Sequence, residues 1–382
     1  MDNRLFVPEY FAGAFSGNGF KNYLTDAISG MKQIYIIKGT PGSGKSTLMK
    51  KIAHASEENG YEVEYIHCSS DVSSLDGVVV PSLSLAIVDG TSPHVMEAMY
   101  PLAVETIINT GDYISHSEIE KHAGEIIRLT DKKKELFSNS EKLLRSAYEL
   151  KKLEYSITQK CYNSKKGFNF CKNVIAKEEK LQKASMEQWE KPHSTTNSFD
   201  INSKNSHLTK RSFFAFGKDG ISTLNPYPTA KIFSIESSFA PFILGTLSVL
   251  ALEYGIHAVF APHPIDISQT AMIYLPFSDT VFINSTLLKV GINQKNFTQK
   301  NIVYLAKNRF ETENKLKANK EKLSFLRKTE KLILGEAKSY LEDAMENHKN
   351  LERIYVSALN KDALNCLAQS LILSIFDKQS GE

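Results

Sequence analysis

The pattern of apolar and polar positions predicts two α/β regions, each followed by a long helical region. In the first region, the apolar run at 31–38 predicts a buried strand, and Leu48 and Ile52 then have the spacing of one face of a helix. The alternating stretch at 61–66 and the apolar run at 83–88 predict more strands of the same sheet. Strands that alternate with helices indicate an α/β fold, in which a parallel sheet is flanked by helices.

Two stretches rich in Lys and Glu, at about 112–190 and 297–360, carry leucines at helical intervals. Several intervals are seven residues, which is typical of coiled-coil-like packing. We expect each stretch to fold back as a helical hairpin, with Gly335 as a break in the second. The hairpins are either ordinary packing elements or an arm that binds a partner, and the sequence leaves both interpretations open. The apolar positions are Leu129, Leu136, Leu143, Leu150, Leu153, Ile157, Leu316, Leu323, Leu326, Leu334, Leu341 and Leu351.

The chain also contains an internal repeat. Residues 55–91 resemble residues 250–286 at a constant offset of 195, and no gap is needed. We therefore predict two halves of one design, at 1–190 and 211–382, each an α/β region with a helical hairpin. The Ser/Asn/Thr-rich stretch at 191–210 has the composition of a linker between them.

A glycine-rich loop lies between the first strand and its helix, and it fits the phosphate-binding pattern G-x-x-x-x-G-K-[ST]. Glycines allow backbone N–H groups to approach phosphate oxygens closely, and the N-terminus of the following helix adds partial positive charge. We predict that Lys45 contacts the β- and γ-phosphates and that the Ser46 hydroxyl ligates Mg²⁺. The loop comprises Gly39, Thr40, Pro41, Gly42, Ser43, Gly44, Lys45, Ser46 and Thr47.

Asp89 directly follows the apolar run at 83–88. In many nucleotide-binding folds, an acidic residue at the end of the strand beside the phosphate loop binds the metal ion. We predict that Asp89 takes part in catalysis by holding Mg²⁺, directly or through water. The next residue is Gly90 rather than the Glu that motor-type ATPases use to activate water. The sequence therefore favours the kinase–GTPase branch. The absence of an Asn/Thr-Lys-x-Asp motif, which specifies guanine, favours ATP over GTP.

Asp71 is the candidate catalytic base, because it follows a predicted strand at the edge where an open α/β sheet binds ligands. Asp266 occupies the same position in the second half, so a loop-capping role is the alternative. Asp76 lies on the same loop as Asp71, and His94 follows Asp89 closely enough either to face the γ-phosphate or to stabilise a turn. Arg211 is the only arginine near a repeated α/β element, and the sequence provides no clear arginine finger.

The second half lacks the residues that this chemistry requires. Residues 235–246 contain no Gly-Lys-Ser, and Glu236 introduces a negative charge where a phosphate would bind. Asn284 replaces the acid of the first half. We predict one competent site, with the second copy acting as a scaffold, as a different ligand site or as a regulatory lid.

Composition bears on whether the protein binds nucleic acid, crosses a membrane, is secreted or binds zinc. The chain has 382 residues and a formal net charge of +3, and its lysines occur mostly beside glutamates, which indicates solvated helix faces rather than a nucleic-acid-binding surface. No apolar run has membrane-spanning length, and the N-terminus lacks the form of a signal peptide. The spacing of the four cysteines matches no zinc site, so we expect reduced thiols in a cytoplasmic protein.

Three motifs in order, at 39–47, 67–81 and 88–94, resemble a family of bacterial P-loop ATP-binding proteins found largely in spore-forming and anaerobic Gram-positive bacteria. Members are described as ATPases or as nucleotide kinases. The resemblance covers nearly the whole chain, including its tandem halves, and it implies a P-loop fold with an ATP site. In that family the second half often has its own Gly-Lys-Ser loop, and this chain differs there.

We therefore expect an ATP-binding P-loop NTPase that uses Mg²⁺ and hydrolyses ATP. One alternative is a kinase that transfers the γ-phosphoryl group to a nucleotide or another small-molecule acceptor, with Asp71 as base. The other is a non-enzymatic module that binds ATP and signals through its helices to a protein or nucleic-acid partner. Acceptor-stimulated formation of ADP would favour the kinase, and tight binding without turnover would favour the module.

Overall fold

The computed structural model describes residues 5–189, 208–293, 297, 299–312 and 314–377. Most of the expected linker lies outside these residues, but its last three residues form a strand. The strands of the first half are β1 Glu9–Phe11, β2 Gly13–Ser16, β3 Gly19–Asn22, β4 Gln33–Lys38, β5 Glu64–His67, β6 Leu75–Val80, β7 Leu85–Asp89 and β8 Glu105–Asn109. Its helices are α1 Leu24–Ala27, α2 Lys45–Glu58, α3 His116–Glu120, α4 Ala123–Gln159 and α5 Ser164–Trp189.

The second half repeats this series of elements. Its strands are β9 Leu208–Lys210, β10 Phe214–Gly217, β11 Gly220–Thr223, β12 Lys231–Ile235, β13 Ala258–Pro262, β14 Thr270–Leu275, β15 Thr280–Asn284 and β16 Ile302–Tyr304. Its helices are α6 Ala240–Glu253, α7 Ser285–Asn293, α8 Lys315–Ala318, α9 Lys320–Ser357 and α10 Lys361–Asp377.

Each half contains one six-stranded sheet, and the two sheets have the same topology. The strand order is β1-β5-β6-β7-β4-β8 in the first and β9-β13-β14-β15-β12-β16 in the second. Even the irregularity in strand pairing recurs, between Ile66 and His67 and between Ala261 and Pro262. The offset between these positions is that of the sequence repeat, so the predicted duplication is confirmed.

The sheets are only mostly parallel. In the first sheet, β6 runs antiparallel to β5 and to β7, whereas the other neighbours are parallel. A parallel crossover needs a dozen or more residues. The single 3₁₀ turn Pro81–Leu83 before β7 is too short for one, which explains why the expected all-parallel sheet is wrong at this strand and at its counterpart β14.

The long helices α4 and α9 pack against each other in antiparallel orientation rather than each within its own hairpin. The hydroxyl of Ser140 donates to the carbonyl of Ala337 at 2.9 Å, and Lys151 lies 3.1 Å from Glu330. The expected break at Gly335 is wrong, because α9 continues through it. A glycine within a helix costs only about 1 kcal/mol, which the long packed face outweighs.

The shorter helices of the two halves are exchanged. The buried Cys171 and Ile175 of α5 join the core around α6 of the second half. Conversely, Ala368 and Ile375 of α10 join the core around β4 and α2 of the first half. The heptad pattern predicted part of this packing: Leu129 and Leu136 are buried, whereas Leu153 is 51% exposed. Each α/β half is therefore completed by a helix from the other.

The two sheets also share a core. One buried cluster contains Ile34 and Ile36 of β4 together with Phe213 and with Ile283 of β15. Burial of apolar surface contributes about 25 cal/mol for each Å² removed from water, and it stabilises this contact between the halves. The shared core fixes the halves relative to each other, and thereby fixes which residues of the second half reach the glycine-rich loop of the first.

Candidate functional site

The glycine-rich loop at 39–47 connects β4 to α2. Gly42 and Gly44 have φ angles of 71° and 83°, a left-handed region that favours glycine. Gly44 is also the residue that immediately precedes α2. At Gly42, an added Cβ would lie 2.9 Å from the carbonyl oxygen of Glu352 in α9. The loop thus has the tight backbone that its sequence predicts, and a helix of the second half lies against its tip.

The Lys45 side chain turns back over the loop. Its ammonium group donates to the carbonyl of Thr40 at 3.0 Å and lies 3.7 Å from Oδ2 of Asp89. The two residues meet because β4 and β7 are direct parallel neighbours, with Ile37 paired to Asp89. Two of the residues predicted to act on phosphate and metal therefore lie together at one sheet edge.

Two hydroxyl groups line the inside of the loop. Ser43 donates to the carbonyl of Thr40 at 2.9 Å and lies 2.7 Å from the hydroxyl of Thr110, the residue after β8. The Thr40 hydroxyl is buried without a hydrogen-bond partner. An unpaired buried hydroxyl costs free energy, and a bound phosphate oxygen would satisfy it. Pro41 is half-buried in the loop, whereas Thr47 is exposed on α2.

The candidate metal ligands have defined local contacts. The Ser46 hydroxyl accepts the backbone N–H of Leu75 at 3.0 Å. Oδ1 of Asp89 accepts from the backbone and the hydroxyl of Thr91 at 2.8 and 2.6 Å, which leaves Oδ2 toward Lys45. Within the described ranges, no group of three or more His, Cys, Asp or Glu side chains could hold a metal. Mg²⁺ with few protein ligands and several waters or phosphate oxygens is compatible with this donor set.

Asp71 lies in a hydrogen-bonded turn. Its Oδ1 accepts from the backbone and hydroxyl of Ser73 at 3.2 and 2.8 Å. Burial alone would raise the pKa of Asp71, but these bonds and nearby Lys218 outweigh it, so the pKa lies below the ordinary value. Asp266 accepts from Ser268 in the same way, at 3.2 and 2.6 Å. The loop-capping role is therefore present in both halves, and the role of Asp71 as a base stays a prediction.

His94 and Asp76 form a buried pair beside the site. Nε2 of His94 lies 3.1 Å from Oδ2 of Asp76, and Nδ1 lies 3.1 Å from the side-chain oxygen of Asn22. Since both ring nitrogens face protein atoms, the geometry favours the turn-stabilising role of His94. The imidazole connects the β2–β3 hairpin to the loop that follows Asp89.

Arg211 lies away from the glycine-rich loop. It is 4% exposed, its guanidinium carbon lies 4.7 Å from the centre of the Tyr10 ring, and Nη1 donates to the carbonyl of Lys210 at 2.9 Å. This arginine belongs to the interior between the halves. No arginine finger is assigned to it.

Three further side chains, on the α4–α9 pair, lie within electrostatic reach of Lys45. Nζ of Lys133 lies 3.1 Å from Nδ1 of His348, and Nε2 of that imidazole lies 3.5 Å from Glu352. Burial, with Lys133 and Lys45, lowers the pKa of His348 to about 4. Burial also lowers the pKa of Lys133, an effect that Glu352 opposes and Lys45 reinforces. Sequence reasoning missed these residues, because one Lys among many in a Lys/Glu-rich helix carries no local signal.

The corresponding place in the second half is built differently. Ile37 and Ile235 are equivalent, since they pair with Asp89 and Asn284. Seven residues separate Ile37 from α2, but only four separate Ile235 from α6. The second copy therefore lacks three residues of the loop as well as its lysine.

Charged side chains lie beside this shortened loop. Arg327 of α9 donates to Ser238 at 2.8 Å and to Glu154 of α4 at 2.6 Å. A groove of about 710 Å³ opens beside these residues. Its charged lining consists of Glu236, Glu311, Lys317, Lys320, Arg327, Lys328 and Lys331. The groove contains no glycine loop that could enclose a phosphate with backbone N–H groups.

Among the described residues, no helix is both long and apolar enough to cross a bilayer.

Comparison with known proteins gives one finding. Residues 14–104 match the family model of the N-terminal region of nephrocystin 3. No curated protein and no solved structure matches the chain. The match includes β4, the glycine-rich loop, α2 and β7, so the likeness concerns the α/β part of the first half.

Proposed function

We propose that this chain is an ATP-binding P-loop NTPase of the cytosol with one Mg-ATP site, at 39–47, and that it hydrolyses ATP. The observation that carries the proposal is the position of Lys45, over a loop with left-handed glycines and 3.7 Å from Asp89 at the end of the adjacent strand. The four cysteines are free, in keeping with a reducing compartment.

The loop and the strand ends beside it divide the binding of phosphate and metal in this proposal. Backbone N–H groups of the loop and the N-terminus of α2 bind phosphate oxygens. Lys45 neutralises the β- and γ-phosphates, and the buried Thr40 hydroxyl gains a hydrogen-bond partner. Ser46 and Asp89 hold Mg²⁺, which, when bound, neutralises charge that develops on the phosphates. Asp71 remains the candidate for orienting or deprotonating the nucleophile.

The second half would not bind ATP in the same way. Its loop is three residues shorter and has neither the lysine nor the acid of the first half. We expect isothermal titration calorimetry to give one bound ATP per chain. The variant Glu236→Gly is expected to leave that number unchanged, because removal of a negative charge does not restore the loop. Two bound ATP per chain would contradict a single competent site.

The central experiment measures ADP production from Mg-ATP by wild type and by Lys45→Ala. Loss of the phosphate-binding cation should reduce turnover on the order of 100-fold. The matched control is Lys32→Ala, since Lys32 is an exposed lysine just before β4, and it should keep wild-type turnover. Equal rates in wild type and Lys45→Ala, or no ATP binding by wild type, would overturn the proposal.

The same assay separates the alternatives. Adding nucleosides and nucleoside monophosphates tests for an acceptor, and strong stimulation by one of them would assign a kinase. Lys45-dependent ATP binding without turnover in any mixture would assign a binding module, whose helices signal to a partner. Turnover without additions assigns an ATPase.

A further inference from the structure

The face of the glycine-rich loop that the first half leaves open is covered by α9 and α10 of the second half. An added Cβ at Gly42 would lie 2.9 Å from the Glu352 carbonyl oxygen and 2.9 Å from a methyl group of Val356. Leu364 of α10 lies against Gly44 in the same way. The loop is thus enclosed between its own sheet edge and helices of the second half. A phosphate bound there would have protein on both sides.

Lysines and carboxylates both lie near this covering surface. Lys45 and Lys133 carry positive charge, His348 is neutral near pH 7 because burial lowers its pKa to about 4, and Glu352 is the facing carboxylate. The Asp71 carboxylate nearby is already bonded to Ser73 and lies 3.5 Å from Lys218. Lys45 is already paired with Asp89 at 3.7 Å, whereas Lys133 donates to the uncharged imidazole of His348, so the ammonium group of Lys133 keeps donors for an additional anion.

The neutral imidazole also fixes the direction of Lys133. Nδ1 of His348 lies 3.1 Å from the ammonium group and accepts a hydrogen bond from it, while Nε2 faces Glu352 at 3.5 Å. Lys133 is only partly exposed, whereas the next residue, Lys134, is exposed and paired with Asp131 on the helix surface. Lys133 therefore differs from Lys134 in being partly buried and held by a side chain of α9, the helix that contacts Gly42.

We propose that Lys133 is a second phosphate-binding cation, which contacts the terminal phosphate of a nucleoside triphosphate and is positioned for that contact by His348. The inference rests on the function proposed above. In this inference Lys133 neutralises charge on the terminal phosphate, as an arginine finger does in other phosphoryl-transfer enzymes, and it comes from the same chain as the glycine-rich loop. Since a diphosphate lacks the terminal group, Lys133 would make the site discriminate between ATP and ADP.

The test is the affinity of the full-length protein for ATPγS and for ADP, each with Mg²⁺, by isothermal titration calorimetry. Loss of one charge-assisted hydrogen bond in Lys133→Ala should weaken ATPγS binding about 10- to 100-fold. ADP binding should change less than about 3-fold, which also shows that the variant is folded. Lys133→Arg should restore most of the preference for ATPγS, and His348→Ala should lose part of it.

The matched control is Lys134→Ala, which should bind both nucleotides like wild type. Equal weakening of ATPγS and ADP by Lys133→Ala would assign a structural role, and unchanged affinity for both would exclude a contact; either result overturns the inference and leaves the ATP site intact. Absence of nucleotide binding by wild type itself would instead remove the proposed function and the inference together.

Discussion

Nζ of Lys218 lies 3.5 Å from Oδ1 of Asp71, so a turn of the second half reaches the loop that follows β5 in the first. The contact is possible because the β10–β11 turn packs on this loop, where an added Cβ at Gly217 would lie 2.7 Å from the Ser69 carbonyl oxygen. A residue that the sequence suggests as a catalytic base is therefore also part of the contact between the halves.

The two roles of Asp71 make opposite predictions for Asp71→Asn. Asparagine keeps an oxygen that can accept from Ser73 but cannot act as a base. The turn-capping role, which Asp266 shares, predicts that ATP turnover falls by less than about 3-fold. A steady-state assay of ADP formation checks this. A loss of 100-fold or more, with unchanged ATP affinity, would instead assign the base to Asp71.

The buried charges between α4 and α9 should stabilise the fold. Lys151 lies 3.2 Å from Glu154 and 3.1 Å from Glu330, and these carboxylates raise its pKa although burial alone would lower it. Lys151→Met should lower the free energy of unfolding by about 3 kcal/mol, because two buried carboxylates lose a common cation. Urea unfolding at pH 7 measures the change. Lys152→Met, at an exposed position, is the control and should have little effect.

The double variant Lys151→Met/Glu330→Gln shows whether unpaired charge or lost packing lowers the free energy of unfolding. Removing the charge of Glu330 as well should recover part of the stability, since the remaining Glu154 keeps Arg327 at 2.6 Å. No recovery would mean that lost packing of the lysine stem, rather than unpaired charge, causes the effect.

The exchange of helices predicts that α10 stabilises the first half. Ile375 is 3% exposed and packs in the core around α2, whereas Leu373 on the same helix is 61% exposed. Ile375→Ala should lower the free energy of unfolding by about 2–4 kcal/mol, and Leu373→Ala should change it by less than about 0.5 kcal/mol. Hydrogen exchange of α2 amides should increase only in the first variant. Increased exchange confined to α10 would contradict the shared core.

Stability should decrease in mild acid through His263. Its Nδ1 accepts the backbone N–H groups of Ile265 and Asp266 at 3.2 and 3.3 Å, and burial, with a smaller effect of Lys151, lowers its pKa to about 3. Below pH 6.5 the unfolded chain binds a proton that the folded chain does not. The free energy of unfolding therefore falls by up to about 1.4 kcal/mol per pH unit as the pH decreases from 6.5 toward 3.

The variant His263→Asn isolates this effect, because asparagine retains an oxygen acceptor but does not titrate. Between pH 6.5 and 4.5 it should lose about 2–3 kcal/mol less than wild type in urea unfolding. Parallel curves for the two proteins over this range would show that His263 does not control the acid sensitivity.

Short-range features were predictable from the sequence. The strand before Gly39, the helix after Gly44, and Asp89 at the end of β7 all depend on neighbours close along the chain. The repeat was predictable as well, because the offset between Asp71 and Asp266 persists through strands and turns. The sequence could not show that β6 is antiparallel, since the residue pattern of a strand does not encode its direction, and Asp76 and Gly77 interrupt the apolar residues of 75–80.

The sequence by itself determined the two α/β halves, the glycine-rich loop with Lys45, and the loss of that loop in the second copy, because spacing and residue type suffice for each. Only the tertiary structure decided that α5 and α10 are exchanged between the halves and that Lys133 and His348 meet within electrostatic reach of Lys45. These contacts join residues up to about 300 positions apart on helices whose Lys/Glu-rich surfaces look alike in sequence. The physical reason is that the burial of whole apolar faces, summed over both sheets, selects the partner of each helix.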